Sequence, residues 1–219
     1  MSYIWWIMKS LKTEAKIILA ALAFFIFLPV VSVVVVAASG IQIVGDALVS
    51  LNPVTKLVEI FDTNGNKVAD VSVTTNWPTR GYISDEFGTL DPVRQEMGLG
   101  RHTGIDIANR NGLIGEPITP FMVGTVIRVD HIDDDACGIN VKLKHDHNIT
   151  STYCHLSQAV NIPLNTPVKP GDVIGYMGST GASTGSHLHF QINVYDIPVN
   201  PRIFMVGEPE ASSVTIPTF

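Results

Sequence analysis

Hydrophobic and polar positions divide this chain into one long apolar run followed by many short alternating ones. Ile17 to Ala38 spans 22 residues without a charge, broken only by Pro29 and Ser32. A helix of that length covers about 33 Å, a full hydrocarbon core, and a proline kinks such a helix without excluding it. The run predicts one membrane-spanning helix over residues 17–38. Lys9, Lys12 and Lys16 precede it, and Ser39 to Gly45 follows without charge. The positive-inside rule then puts residues 1–16 in the cytoplasm and the rest of the chain on the periplasmic or extracellular side. Ala37-Ala38-Ser39-Gly40 is small enough to be cut, but a signal peptide has an apolar stretch of only about 7–15 residues.

Beyond residue 40 no stretch sustains a 3.6-residue apolar period. Residues 39–78 read as a juxtamembrane linker carrying one hairpin. Its β-rich arms, Leu57–Asp62 and Lys67–Val73, flank Thr63-Asn64-Gly65-Asn66, where Asn-Gly favours the positive φ of hairpin turns. From Trp77 onward Gly and Pro recur between short β-rich runs at 120–129, 139–145, 149–155, 173–177 and 187–194. This predicts an all-β domain of short antiparallel strands, a compact sheet or barrel, over residues 79–205. Residues 206–219 read as a loose tail.

Composition changes the picture little. A length of 219 residues suits one domain plus an anchor. A net charge of −6, with no Lys or Arg run after residue 16, excludes the basic stripe of a nucleic-acid binder.

The candidate chemistry lies in the histidines, seven in number. His187-Leu188-His189-Phe190-Gln191-Ile192 alternates polar and apolar, so on a strand both histidines share one face and Leu188, Phe190 and Ile192 take the other. The small-residue loop Gly178 to Gly185 before it leaves that face open. Imidazole is the commonest metal ligand, yet a plain solvent-facing strand fits this pair equally well. His102 and Asp106 would share a face if extended, with Gly104 between them. A His and a carboxylate are standard zinc ligands, but taken alone the two read more readily as surface residues. His145 and His147 flank Asp146 at what reads as an exposed turn without fixed metal geometry. His131 with Asp130, Asp133, Asp134 and Asp135 reads as an acidic surface loop, a weak calcium site being the lesser reading.

Taken in order, His102-x-x-x-Asp106, Tyr153-Cys154-His155-Leu156-Ser157 and Gly185-Ser186-His187-Leu188-His189-Phe190 resemble the lysostaphin/LytM-type zinc endopeptidases of peptidase family M23. The similarity runs from Ser84-Asp85-Glu86-Phe87-Gly88 through Lys169-Pro170-Gly171-Asp172 to Pro198-Val199-Asn200-Pro201, nearly the whole second half. The resemblance implies one Zn²⁺ per chain held by His102, Asp106 and His189, with His155 and His187 catalytic. It further implies a peptidase domain acting on peptidoglycan cross-links or stem peptides. All five positions are filled, which argues against a catalytically silent wall-binding, regulatory or structural module. One departure is that Phe87-Gly88-Thr89-Leu90-Asp91-Pro92 stands where the family often reads Phe-Gly-x-Arg-x-x-Pro, so an arginine is missing and the spacing is one shorter. No His-Glu-x-x-His helix is present, so the Glu base of that peptidase class is missing, and the resemblance leaves His155 or His187 to take the water's proton. Sequence leaves open which of His155 and His187 it is.

Tyr153, two before His155, shares its face on a regular strand; it lines the substrate groove or is a half-buried strand tyrosine. The only cysteines, Cys137 and Cys154, lie on the outer side at about equal distances from a hairpin turn at residues 145–148. A disulfide between them is expected, clamping the strand that delivers His155. A register slip of one residue would instead leave two free thiols. The implied partners are peptidoglycan and, through the anchor, a lipid bilayer.

Overall fold

The computed structural model describes residues 44–109 and 111–209. In chain order its strands are β1 (Val49–Leu51), β2 (Leu57–Phe61), β3 (Lys67–Ser72), β4 (Tyr82–Asp85), β5 (Ile105–Ala108), β6 (Pro117–Ile118) and β7 (Gly124–Asp130). They continue as β8 (Asn140–Lys144), β9 (Ile149–Cys154), β10 (Leu156–Ala159), β11 (Pro167–Val168), β12 (Gly175–Met177), β13 (His187–Val194) and β14 (Ile197–Val199). Helical segments among the described residues are short: residues 44–48, Pro92–Glu96 and the 3-10 turn Pro201–Phe204. The large sheet runs β11-β7-β8-β9-β13-β5-β4, with β14 beside β13; smaller sheets are β1-β2-β3 and β10-β12-β6. All these pairings are antiparallel, as the short alternating runs predict.

Period-two alternation fixes which face of the large sheet is core. Leu188, Phe190, Ile192 and Val194 of β13, Ile105 and Ile107 of β5, and Ile149, Ser151 and Tyr153 of β9 are buried. Phe121 packs edge-to-face on Phe190, and Phe204 packs edge-to-face on Phe121, the arrangement ring quadrupoles favour. The odd positions of β13 from His187 onward, and Asp106 between the two β5 isoleucines, therefore go to the other face.

The turns follow local chemistry. The β2–β3 hairpin forms around Gly65 at φ 82°, with Asp62 Oδ1 accepting from the N–H groups of Asn64 and Asn66, an Asx cap. His147 and Asn148 both have positive φ, and Ile149 N–H donates to Asp146 O at 3.2 Å. That is the two-residue turn whose twist suits a hairpin. Tyr195 and Asp196 repeat it between β13 and β14.

Several expectations are modified. The predicted span, residues 17–38, and residues 1–16 lie outside the described residues. Among the described residues no helix is long and apolar enough to cross a membrane. Residues 44–78 are not a free linker: Leu48, Val49, Val58, Ile60 and Val71 join the hydrophobic core, because their strands have an apolar face to bury. The start of the tail is tied down by Val206 N–H to Thr74 O, whereas residues 210–219 lie outside the described residues. His145 is not exposed. Its Nδ1 faces Val123 O at 2.8 Å, its Nε2 Ser151 Oγ at 2.7 Å, and Ser151 donates on to the Tyr153 hydroxyl.

Cys137 and Cys154 form the disulfide, although by an unexpected route. The β8–β9 register sets Val141 opposite Tyr153, so continuing it puts Asn140, not Cys137, across from Cys154. The chain instead turns at Gly138, φ 61°, and His155 N–H donates to Cys137 O at 2.9 Å. Closing a loop with a sequence separation of 17 stabilises by about 3 kcal/mol. Urea unfolding of Cys137→Ser/Cys154→Ser should show a loss of that order, and an unchanged midpoint would contradict it.

Burial lowers the pKa of His145 from the ordinary 6.5, with the Val123 carbonyl and Asp146 pulling the other way. On acidification the unfolded chain binds the proton first, so this residue's contribution is full above 6.5 and declines below it. The stability advantage of wild type over His145→Asn should therefore shrink from pH 7.5 to about 5.5; chemical denaturation at each pH checks it, and a constant difference would refute it.

Candidate metal centre

The site grows from the register of one strand. On β13, His189 lies opposite Asp106 of β5 on one side and Cys154 of β9 on the other. Asp85 of β4 pairs with Asp106 in turn. Directly opposite residues project from the same face, so Asp85, Asp106, His189 and Cys154 form one transverse row. His102 does not share a strand with Asp106 as the extended reading supposed. It precedes β5, held by bonds between its backbone and Thr89 O and Gly88 N–H, both at 2.8 Å.

Three atoms nevertheless converge. His102 Nε2 lies 3.0 Å from Asp106 Oδ1, His189 Nδ1 lies 2.9 Å from the same oxygen, and the two ring nitrogens are 2.9 Å apart. The outer nitrogens fix the tautomers. His102 Nδ1 faces Glu86 O at 2.9 Å, an acceptor only, so it carries the proton and Nε2 holds a lone pair. His189 Nε2 faces Gln191 Oε1 at 3.5 Å, which leaves its Nδ1 likewise inward. Three lone-pair atoms so close repel one another unless a cation lies among them. Two imidazole nitrogens and a carboxylate oxygen are a donor set suited to zinc, with a fourth position left for water or substrate. Among the described residues this is the one cluster of three or more His, Cys, Asp or Glu side chains with converging ligand atoms.

The electrostatics agree. Burial alone would raise the pKa of Asp106, but the adjoining His102 and His189 imidazoles outweigh it and hold the carboxyl well below the carboxylate range. Burial pushes His189 down, against the pull of Asp106. That favours the neutral, ligating form of His189.

His155 and His187 stand beside this triangle. His155 follows the last residue of β9 at φ 62°, an uncommon conformation for a residue with a side chain. Its Nδ1–H donates to Thr180 O at 2.7 Å, leaving Nε2 as the free nitrogen. Burial, then the neighbouring His187 and His189, push its pKa down to about 4. His187 Nδ1–H donates to Gly185 O at 2.8 Å, and its Nε2 lies 3.6 Å from Asp106 Oδ2. The two rings are 4.7 Å apart. They border an open cleft of about 710 Å³ that also touches Asp106, Arg94, Met97 and Tyr82.

Tyr153 does not line that cleft. It is 0% exposed and paired across the ladder with Phe190, and its hydroxyl accepts from Phe121 N–H and Ser151 Oγ–H. The shared face assumed for Tyr153 and His155 is lost because the left-handed turn at His155 breaks the alternation. The carboxylates around His131 do not form a cation site. Asp130 pairs with Arg128, Asp133 accepts Gly181 N–H, and Asp135 accepts from Cys137 and Gly138. The departure at residues 89–92 is a capped turn. Asp91 accepts Arg94 N–H, Pro92 begins the helix, and Arg94 Nε reaches Asp85 Oδ2 at 3.4 Å, so an arginine returns to the cleft wall from a later position. Neither Arg94 nor Thr180 carried a role in the sequence; the signal for the former is Asp-Pro opening a helix, and Thr180 has none.

The profile of Peptidase family M23 matches residues 100–201. Peptidoglycan DD-endopeptidase ShyC of Vibrio cholerae is 37% identical over 157 residues, covering 71% of this chain and 34% of that protein. DD-carboxypeptidase/endopeptidase Mpg of Neisseria meningitidis is 34% identical over 129 residues, 58% of this chain and 28% of that protein. The chain thus spans 28% to 34% of the length of these two relatives. The crystal structure of a zinc containing peptidase from Vibrio cholerae superposes with a TM-score of 0.51 at 26% identity, covering 70% of this chain and 47% of that one.

Gly104 lets β5 and β13 meet at the site. A Cβ there would lie 2.4 Å from Phe190 O and 3.0 Å from His189 Cε1. Gly104→Ala should cost about 1–3 kcal/mol of stability and weaken metal retention by moving His189. Denaturant unfolding and metal content after dialysis check both; a fully metallated, equally stable variant would refute it.

Proposed function

We propose that this chain, a member of peptidase family M23, is a zinc-dependent endopeptidase that hydrolyses peptide bonds in the cross-links or stems of peptidoglycan. The observation that carries this reading is the convergence of His102 Nε2, Asp106 Oδ1 and His189 Nδ1 beside a cleft bordered by two further histidines. Zn²⁺ held by those three residues would lower the pKa of a bound water towards about 7 and polarise the scissile carbonyl. The remaining work belongs to His155 and His187. Each has its Nδ1–H committed to a backbone carbonyl, so each offers Nε2 to the cleft. His155, held neutral, is the better placed to take the proton of the attacking water. His187, with Nδ1–H committed to Gly185 O and Nε2 beside Asp106, then stabilises the oxyanion through Nε2 when that nitrogen also carries a proton.

The five intact side chains support turnover over a silent wall-binding or regulatory module. Stage II sporulation protein Q of Bacillus subtilis, 30% identical over 104 residues and matched over 35% of its length, keeps that second reading in view. We further propose that residues 17–38 anchor the chain and that the peptidase domain acts on the outer side of the membrane. The Cys137–Cys154 disulfide supports this, since such bonds persist in oxidising compartments.

Purified cell walls should lose turbidity with the zinc-loaded protein and not after chelation, and mass spectrometry of defined wall peptides should identify the bond. His187→Ala should keep its zinc and lose activity by on the order of 10²–10⁴-fold, while His189→Ala should lose both. Equal metal loss in the two variants would overturn this division of labour. A zinc-loaded wild type that clears nothing would favour the silent module.

A further inference from the structure

The peptide group joining Thr180 to Gly181 is bonded at both ends. Its N–H donates to Asp133 Oδ1 at 2.6 Å, and its C=O accepts His155 Nδ1–H at 2.7 Å. We infer that Asp133 is a positioning residue for His155, acting through this single peptide group. The inference rests on the proposed role of His155.

A hydrogen-bonded amide is polarised along its length, so donating at one end strengthens accepting at the other by about 10–30%. A better acceptor at Thr180 O fixes the His155 ring and its Nδ1–H tautomer, as outer partners commonly do for functional imidazoles. His155 needs such support, since its backbone sits at φ 62°.

The surrounding bonds hold the loop but do not do this task. Ala182 N–H donates to Ala136 O at 2.9 Å, Ile139 N–H donates to Thr180 Oγ1 at 3.1 Å, and that hydroxyl donates to Leu156 O at 2.8 Å. Gly138 and Gly181 pack so closely that a Cβ on either would meet the other's backbone nitrogen at 2.6 Å. With these contacts intact, losing Asp133 leaves the two loops docked and frees only the plane of the peptide group. Asp133 is exposed, so solvent screens its charge, and its role is that of a hydrogen-bond acceptor. An asparagine oxygen can replace it.

The test compares Asp133→Ala with Asp133→Asn in the zinc-loaded protein. Asp133→Ala should lower kcat about tenfold, with KM, zinc content and thermal midpoint unchanged, and Asp133→Asn should restore kcat to within about threefold of wild type. A readout independent of turnover is the His155 Nδ1–H signal in long-range ¹H–¹⁵N spectra. Its solvent exchange should accelerate in the alanine variant and stay slow in the asparagine variant. The inference is overturned if kcat and exchange are unchanged in Asp133→Ala, if Asn is as damaging as Ala, or if the loss follows a fall in zinc or thermal midpoint. Should wild type cleave no wall peptide, the function reading fails, and the exchange measurement alone decides for or against the positioning role.

Discussion

The pairing of His189 with Asp106 across β13 and β5 is the constraint on which the rest of this site depends. Side chains on a strand alternate with a period of two, so a one-residue slip of β13 would send His189 into the core, away from Asp106, and bring Leu188 or Phe190 out. The slip is prevented from the other face. Leu188, Phe190 and Ile192 are fully buried against Ile105, Ile107 and Tyr153, and exposing any one of them would cost about 1.5–3 kcal/mol. The apolar face thus fixes the position of the polar one. A small shift in the core is felt as a shift in ligand geometry, with Gly104 at the point of closest approach.

A register alone delivers side chains but not protonation states. Those are set by groups outside the triangle: Glu86 O for His102, Gln191 Oε1 for His189, Thr180 O for His155 and Gly185 O for His187. Three of the four are backbone carbonyls, which can only accept, so each forces its imidazole to carry hydrogen on the outer nitrogen. Asp85 adds a carboxylate 3.1 Å from His102 Nδ1. The interior of the site is therefore rich in lone pairs and poor in protons, an arrangement that is costly in a protein interior unless a cation compensates it.

Much of this was legible in the residues. The alternation of 187–192 gave the right face for His187 and His189, and the Asn-Gly pair located the β2–β3 turn. The illegible parts share one physical cause, namely that local backbone departures override the period-two rule. Tyr153 and His155 were expected on one face, but the positive φ of His155 separates them and leaves Tyr153 in the core. The disulfide was expected from equal distances to a turn, yet the ladder register does not supply it; the bend at Gly138 does. Two-residue edge strands such as β6 and β11 carry too few positions to show any period, and each begins with a proline, which edges tolerate. Residues 44–78 look like a spacer because their apolar positions show no sustained period, yet Leu48, Val49, Val58, Ile60 and Val71 enter the shared core.

The stretch from Gly178 to Gly185 shows how the same composition supports opposite inferences. Small residues suggest mobility when read alone, and here they permit contact. A Cβ at Gly178 would strike the backbone of Leu156 and Ser157, and one at Gly181 would strike Ala136 and Gly138. These glycines let the loop lie directly on the segments that carry His155 and the disulfide. The conformational freedom glycine has in the unfolded chain costs stability, and hydrogen bonds from Ile139, Ala182 and His155 offset part of that cost. The loop is better understood as a wall of the site than as a lid over it. Its Thr180–Gly181 peptide group connects an acidic surface loop to a buried imidazole, which explains why a residue with no evident role in the sequence stands at the junction.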